Sequence, residues 1–472
     1  MKRLVTLALA LTAALPAAAA PISVLFVGNS YTFGRLDPVL TYNADNVRGL
    51  TKPQGPLVVG STGNTPKFSD VTGTNSYPLG LNAPCTAPCT PVQGNSYSPH
   101  SQTKGWGGVA GNFKQFTVQA GLDYDVALST RNAATLRGHL INSANSTNWD
   151  LRGNISSQKW DKLVLQEQSD EALGPKTVNG IPLGSNFPSV KAYVDLIEDW
   201  VHTGRVTVAP GATSVTSYTE EAMYIAQYGS VDACVAAGGT KRANAGAPAG
   251  TCDNRTTRNL GVNANASAAT EIYLQQTWAR PNLINAPGAT TINSATGNAT
   301  YSGASAPSYF ATLEAMTTEM STGTTNIANF ADDDGSSGIK GIIPVGQAFL
   351  TAVQAGLATR DIYASNALTD QLIDLWFNDG THASVAGSYL SALTNFGSIT
   401  GLDPAMFGAG ERAAADLGLS AREAMLLQSV ASFQLGFRNS VPEPGSLALV
   451  ALALLGVAGL QRRTVLARVP RA

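Results

Sequence analysis

The chain has 472 residues, a formal net charge of −2 and 13% charged residues, where globular chains ordinarily carry roughly 25%. A charge balance this close to zero argues against a nucleic-acid partner. Asn, Thr, Ser, Gly and Ala stand in place of the missing charges, a composition that suits an exported globular protein.

The N-terminus reads as a secretory signal. Lys2 and Arg3 precede the apolar stretch Leu4 to Leu15, and Ala18-Ala19-Ala20 supplies small side chains for cleavage, so residues 1–20 are expected to leave and the mature chain to begin near Pro21. The run Ile22-Ser23-Val24-Leu25-Phe26-Val27 is continuous, apolar and β-rich, the pattern of a strand buried on both faces. It ends in Gly28-Asn29-Ser30-Tyr31-Thr32. A glycine turn at the carboxyl end of such a strand puts the Ser30 hydroxyl where open α/β sheets bind ligands. Taken alone, the same residues also describe a plain turn with a serine cap.

Residues 50–105 and 229–306 are polar, turn-rich segments expected to be insertions in the domain at 21–440, decorating the rim of the site. They carry the four cysteines. An even number in an exported chain predicts two disulfides, and proximity favours Cys85 with Cys89 and Cys234 with Cys252. Other pairings stay open, and a zinc site is the competing idea, although no histidine lies near any of the four. Helices are expected at Ser189 to Thr203, Tyr309 to Thr322, Gly346 to Gly356 and Ser420 to Gln434, where apolar positions recur at helical spacing. Their alternation with strands predicts a doubly wound, mostly parallel five-stranded sheet with helices on both faces.

Several residues invite a role. Trp106, in Gly105-Trp106-Gly107-Gly108, falls near one expected strand end, and Trp278 and Arg280 near another. The latter two are candidate substrate-binding residues in a sugar cleft, with core packing and a surface ion pair as the alternatives. His100, His139 and His202 share no metal-binding spacing and read as structural. Asp332-Asp333-Asp334-Gly335 lacks the spaced ligands of a calcium loop and reads as a solvated turn. No cofactor or metal is expected.

Asp379-Gly380-Thr381-His382 is the second chemically loaded segment. A spacing of three on a tight turn lets the Asp379 carboxylate reach one ring nitrogen of His382, leaving the other to take a proton from a serine. A helix-like stretch, Ser384 to Leu393, follows. The chain then closes on Val441-Pro442-Glu443-Pro444-Gly445, an apolar run from Leu447 to Leu460, and Arg462-Arg463. That run is shorter than the roughly 20 residues that span a bilayer comfortably. Residues 441–472 resemble a PEP-CTERM sorting signal with a short transmembrane helix. The resemblance implies an exosortase as partner, transient membrane association, and delivery to the periplasm, cell surface or extracellular matrix.

Val27-Gly28-Asn29-Ser30-Tyr31-Thr32 and Asp379-Gly380-Thr381-His382-Ala383-Ser384 together resemble the first and last blocks of the SGNH (GDSL-like) hydrolase superfamily, in a secreted bacterial branch whose first block reads Gly-Asn-Ser. Trp160 to Ser169, Ile272 to Pro281 and Gly341 to Gly346 look like that branch's third strand and the two that follow. The resemblance implies a flavodoxin-like three-layer fold and a serine carboxylester hydrolase. Ser30 would be the nucleophile, His382 the base and Asp379 its orienting acid. The oxyanion would face the N–H of Ser30, an N–H from Ala133 or Ala134 in the segment Arg131 to Leu136, and the side chain of Gln168, which stands where the superfamily has an asparagine. An alanine serves as well as the usual glycine only if the turn needs no positive φ. The implied substrate is a small ester or an acylated carbohydrate, acetyl being the expected acyl group. A non-catalytic exopolysaccharide-binding or surface-matrix protein is the alternative. An imidazole of ordinary basicity, near 6.5, makes hydrolysis fall off below about pH 6.

Overall fold

The computed structural model describes residues 20–34, 38–50, 106–131, 133–141, 150–244, 246–292, 299–302, 305–331, 338–367, 369–377 and 379–439. The expected signal segment before residue 20, the first insertion with Cys85, Cys89 and His100, the turn at Asp332 to Gly335 and the C-terminal sorting tail lie outside the described residues.

Six strands form the central sheet: β1 Ile22–Gly28, β2 Arg48–Gly49, β3 Tyr124–Thr130, β4 Lys162–Gln166, β5 Glu271–Gln276 and β6 Ile339–Pro344. Their order is β6-β5-β4-β1-β3-β2, and every neighbouring pair is parallel. The three-layer α/β/α architecture follows the sequence pattern. The count differs from the expected five because the two-residue β2, too short to carry any alternation, pairs with the edge of β3.

β1 lies between β3 and β4 and shows why its residues are apolar throughout. Val24 and Phe26 enter one core while Leu25 and Val27 enter the other, and all four are fully buried. Removing side chains of this size from water stabilises by roughly 1.5–3 kcal/mol each. The first core holds residues from the helices Gly108–Gln119, Val345–Gln354, Val385–Thr400 and Ala421–Gln434. The second holds residues from Leu136–Ile141 and Phe187–His202. Helix Leu313–Ala331 serves both: Leu313, Met316 and Met320 pack in the first core, Ile327, Ala328 and Ala331 in the second. It outruns the expected end at Thr322. Gly323, which breaks the sequence pattern, is there because an added Cβ would stand 2.0 Å from the Ala172 carbonyl oxygen.

Residues 229–306 are not one insertion, because β5 lies within them. Before β5 the chain makes a short helix, Val231–Ala236, and the strand Thr257–Asn259, which pairs with Ser217–Thr219. Cys234 and Cys252, both fully buried, are disulfide-bonded across this excursion. After β5 comes the antiparallel pair Ala289–Ile292 and Ala299–Ser302.

Candidate active site

The carboxyl end of β1 is built so that the chain must turn sharply. A Cβ on Gly28 would meet Gln166 Oε1 at 2.4 Å and Thr32 Oγ1 at 2.5 Å, so any side chain there would have to push both groups aside. Asn29 then caps the one-turn helix α1, Ser30–Phe33, its side chain accepting the Tyr31 N–H at 3.1 Å. The amide of Asn29 also donates to the Ala134 carbonyl at 3.1 Å, which ties this turn to the one after β3. Gln166, at the end of β4, takes the Asn29 N–H (3.0 Å) and the Thr32 hydroxyl (2.8 Å) on a single oxygen. From behind, the His139 Nε2–H donates to the Gly28 carbonyl at 2.9 Å. Burial pushes the pKa of that ring down from 6.5 to about 4, so it is neutral near pH 7. The result is a buried Ser30, 5% exposed, at the start of α1.

Asp379 and His382 arrive from the other end of the chain. Asp379 Oδ1 accepts the N–H groups of Thr381 and His382, both at 2.9 Å. Its Oδ2 lies 2.6 Å from His382 Nδ1. A carboxylate in that position accepts, so Nδ1 carries the proton and the Nε2 lone pair faces Ser30 Oγ at 2.8 Å. Gly380 sits at φ 65°, and a side chain there would run into the Tyr363 hydroxyl at 2.2 Å.

The loop is fastened from below. Trp278 Nε1 donates to the Thr381 carbonyl (2.9 Å), and the Asn282 N–H to the Gly380 carbonyl (3.3 Å). Trp278 is fully buried, stacked on Phe349 at 4.9 Å and edge-on to Tyr31 at 4.8 Å. With none of its surface exposed it does not line a substrate cleft, and its place is in the packed core. Tyr31 in turn stands 5.4 Å from the His382 ring and bonds Ser169 Oγ at 3.1 Å. Burial raises the Tyr31 hydroxyl above its usual value, with Arg280 opposing.

Arg280 keeps partial access to solvent, 15% for its side chain, and pairs with Asp170 at 3.0 Å and with Asn282 Oδ1 at 3.2 Å. Burial would lower its pKa, but the negative fields of Tyr31, Asp170 and Asp379 outweigh it and raise it. Its charge therefore bears on the Asp379 side of the site.

Of the candidate oxyanion donors, the Ser30 N–H finds no acceptor among the described residues. The Ala134 N–H does: it closes a turn onto the Arg131 carbonyl at 3.1 Å, so it is not available to a ligand in this conformation. Ala133 stands at φ 54°, so this turn does need the positive φ that glycine adopts freely and alanine only with strain. The Gln168 side chain is half-buried and its amide finds no partner among the described residues, while its backbone N–H is held by Glu167 Oε1 at 2.8 Å.

Two groups at this site carried no sequence signal of their own. One is Gln166. The other is Glu167, whose carboxyl burial and the nearby Glu171 raise well above the ordinary range, while backbone N–H groups pull it back. Glu171 itself is pushed up to about 8 by burial and by the charge of Asp170. Elsewhere, His202 is locked in the second layer between Glu198 and the Thr270 carbonyl. Among the described residues no group of three or more His, Cys, Asp or Glu side chains is arranged to hold a metal ion.

Residues 440–463 match the PEP-CTERM protein-sorting motif, which marks the chain for export and for recognition by an exosortase at its C-terminal end. No helix among the described residues is long and apolar enough to cross a membrane. None of the curated proteins matches the chain. Among solved structures, a crystal structure of a DUF4886 family protein from Bacteroides uniformis ATCC 8492 is similar to it at 12% identity, over 90% of this chain and 99% of that one, with a TM-score of 0.38.

Proposed function

We propose that the chain is an exported serine carboxylester hydrolase that removes small acyl groups, acetyl above all, from a carbohydrate or related ester. The observation that carries this reading is the unbroken relay of Ser30 Oγ, His382 and Asp379, with contacts of 2.8 and 2.6 Å. The same residues bear the resemblance to the SGNH superfamily.

In the first half-reaction Ser30 Oγ attacks the ester carbonyl carbon. His382 Nε2 takes the hydroxyl proton, and Asp379 stabilises the imidazolium that forms. The oxyanion faces the Ser30 N–H, with Ala133 N–H and the Gln168 amide as further donors. Collapse breaks the ester C–O bond, and His382 returns its proton to the leaving alcohol. In the second half-reaction a water gives a proton to His382 and attacks the acyl-enzyme; collapse breaks the acyl C–Oγ bond, His382 returns the proton to Ser30 Oγ, and the carboxylic acid leaves. Export makes glycans outside the cytoplasm the available substrates. The tail then serves to hold the chain at the membrane transiently until the sorting enzyme processes it.

The test is hydrolysis of p-nitrophenyl acetate by the purified chain beside Ser30→Ala. A rate that disappears with the hydroxyl supports the reading, and equal rates remove it. The alternative, a glycan-binding protein without turnover, draws on one observation: the Ala134 N–H is spent and Ala133 is strained, so the oxyanion side departs from the superfamily pattern. Saturable glycan binding with no Ser30-dependent hydrolysis would favour it.

A further inference from the structure

We propose that Glu167 is a positioning residue for this chemistry, its carboxylate holding together the two turns that carry the candidate oxyanion donors. The inference rests on the esterase reading and extends it to a residue that touches neither substrate nor Ser30.

Glu167 follows β4 directly and is 6% exposed. Its two oxygens are divided between two segments of chain. Oε2 accepts the N–H of Leu136 at 2.7 Å, and Oε1 accepts the N–H of Gln168 at 2.8 Å. Leu136 opens the helix that ends the turn containing Ala133, and Gln168 is the other donor-bearing residue. One side chain thus sets the spacing between the Ala133 turn and the Gln168 turn.

The Ala133 turn needs holding. A left-handed alanine persists only where its surroundings over-determine it. The structure brackets it on both sides: Asn29 Nδ2 grips the Ala134 carbonyl at 3.1 Å, and Glu167 grips the Leu136 N–H. Asn29 is also the cap of the Ser30 turn. The nucleophile, the strained turn and the Gln168 turn are therefore joined through two side chains, of which Glu167 supplies the link across to β4. The chemistry of that link selects a carboxylate. Each oxygen accepts a backbone N–H, and those two bonds favour the ionised, acceptor-only form against the burial and the neighbouring Glu171 that raise its pKa, whereas a glutamine in the same place turns an NH2 toward one of the N–H groups.

The experiment uses the purified full chain, p-nitrophenyl acetate and an arylboronate that forms a tetrahedral adduct on serine. Glu167→Gln is expected to lower kcat on the order of 10²-fold, the scale of a lost oxyanion donor, with KM changed by less than about twofold. Boronate affinity should weaken by the factor lost from kcat/KM, and Glu167→Asp, which keeps an acceptor-only head, should recover part of the loss. Hydrogen exchange at the Leu136 and Gln168 amides should quicken in the Gln variant, a readout that needs no turnover. Unchanged exchange, or a folded Gln variant with wild-type kcat and boronate affinity, overturns the proposal, as does a loss confined to KM or melting temperature. If the Gln variant fails to fold, Glu167→Asp carries the same comparisons. Ser30→Ala run in parallel keeps the two ideas apart. Equal rates for wild type and Ser30→Ala remove the esterase reading, while a Ser30-dependent rate indifferent to Glu167 removes only this inference.

Discussion

Acid should loosen the fold through His139, by an amount the structure allows to be worked out. The ring is fully buried and spends its Nε2–H on the Gly28 carbonyl beside the nucleophile. Burial lowers its pKa from 6.5 to about 4, against the pull of that carbonyl and with help from the Arg131 charge. The folded pKa lies below the unfolded one, so between pH 6.5 and about 4 the unfolded chain binds more protons. Stability from this group is present above pH 6.5, is lost as pH falls through that window, and levels off below about 4. At about 1.4 kcal/mol per pH unit the loss comes to about 3 kcal/mol. Glu171, raised to about 8, has the opposite sign, since a folded state that holds its proton more tightly loses stability as pH rises from about 4.5 to 8. The useful quantity is therefore the difference between wild type and His139→Gln, in which the acids cancel. Urea unfolding followed by tryptophan fluorescence at pH 7, 6, 5 and 4 should show wild type losing about 3 kcal/mol relative to the variant. Two curves that stay parallel across that range would refute the buried neutral imidazole.

Gly28→Ala should cost about 1–3 kcal/mol of stability by overpacking and displace Ser30, because the new methyl meets Gln166 Oε1 and Thr32 Oγ1; melting and esterase assays report both, and a wild-type profile contradicts the turn geometry. Trp278→Ala, which empties the space between Tyr31 and Phe349, should cost about 3–5 kcal/mol and lower kcat by releasing the Thr381 carbonyl. If Trp278 instead gripped substrate, the loss would fall on KM with stability intact. Replacing Cys234 and Cys252 together by alanine opens a link between residues 18 apart in sequence and should cost about 3 kcal/mol, read as a lower urea midpoint that reductant lowers no further through this pair.

What was legible in the sequence is what local pattern encodes. The β1 run reads as a doubly buried strand because both faces pack, Phe26 into one core and Leu25 into the other. Asp379 and His382 announce themselves because their hydrogen bond spans only three residues and needs no distant partner. Gln166 and Glu167 were silent because their contacts cross 137 and 31 residues to Asn29 and Leu136, and a polar pair at a strand end has no period to betray it. Trp278 leaves two readings open because a tryptophan near a strand end looks the same whether its ring faces sugar or, as here, lies between two other aromatic rings. The helix Leu313–Ala331 runs past the expected end at Thr322 through Gly323, whose reason, the close approach of the Ala172 carbonyl, exists only in three dimensions.

The proposed esterase chemistry requires Ser30 to be a nucleophile activated by His382. Incubation of the folded chain with a fluorophosphonate, followed by peptide mass spectrometry, tests that directly. One stoichiometric adduct on the Ser30 peptide, lost in His382→Ala, is the expected result; a folded chain that takes up no label there, or takes it up equally without the histidine, contradicts the mechanism.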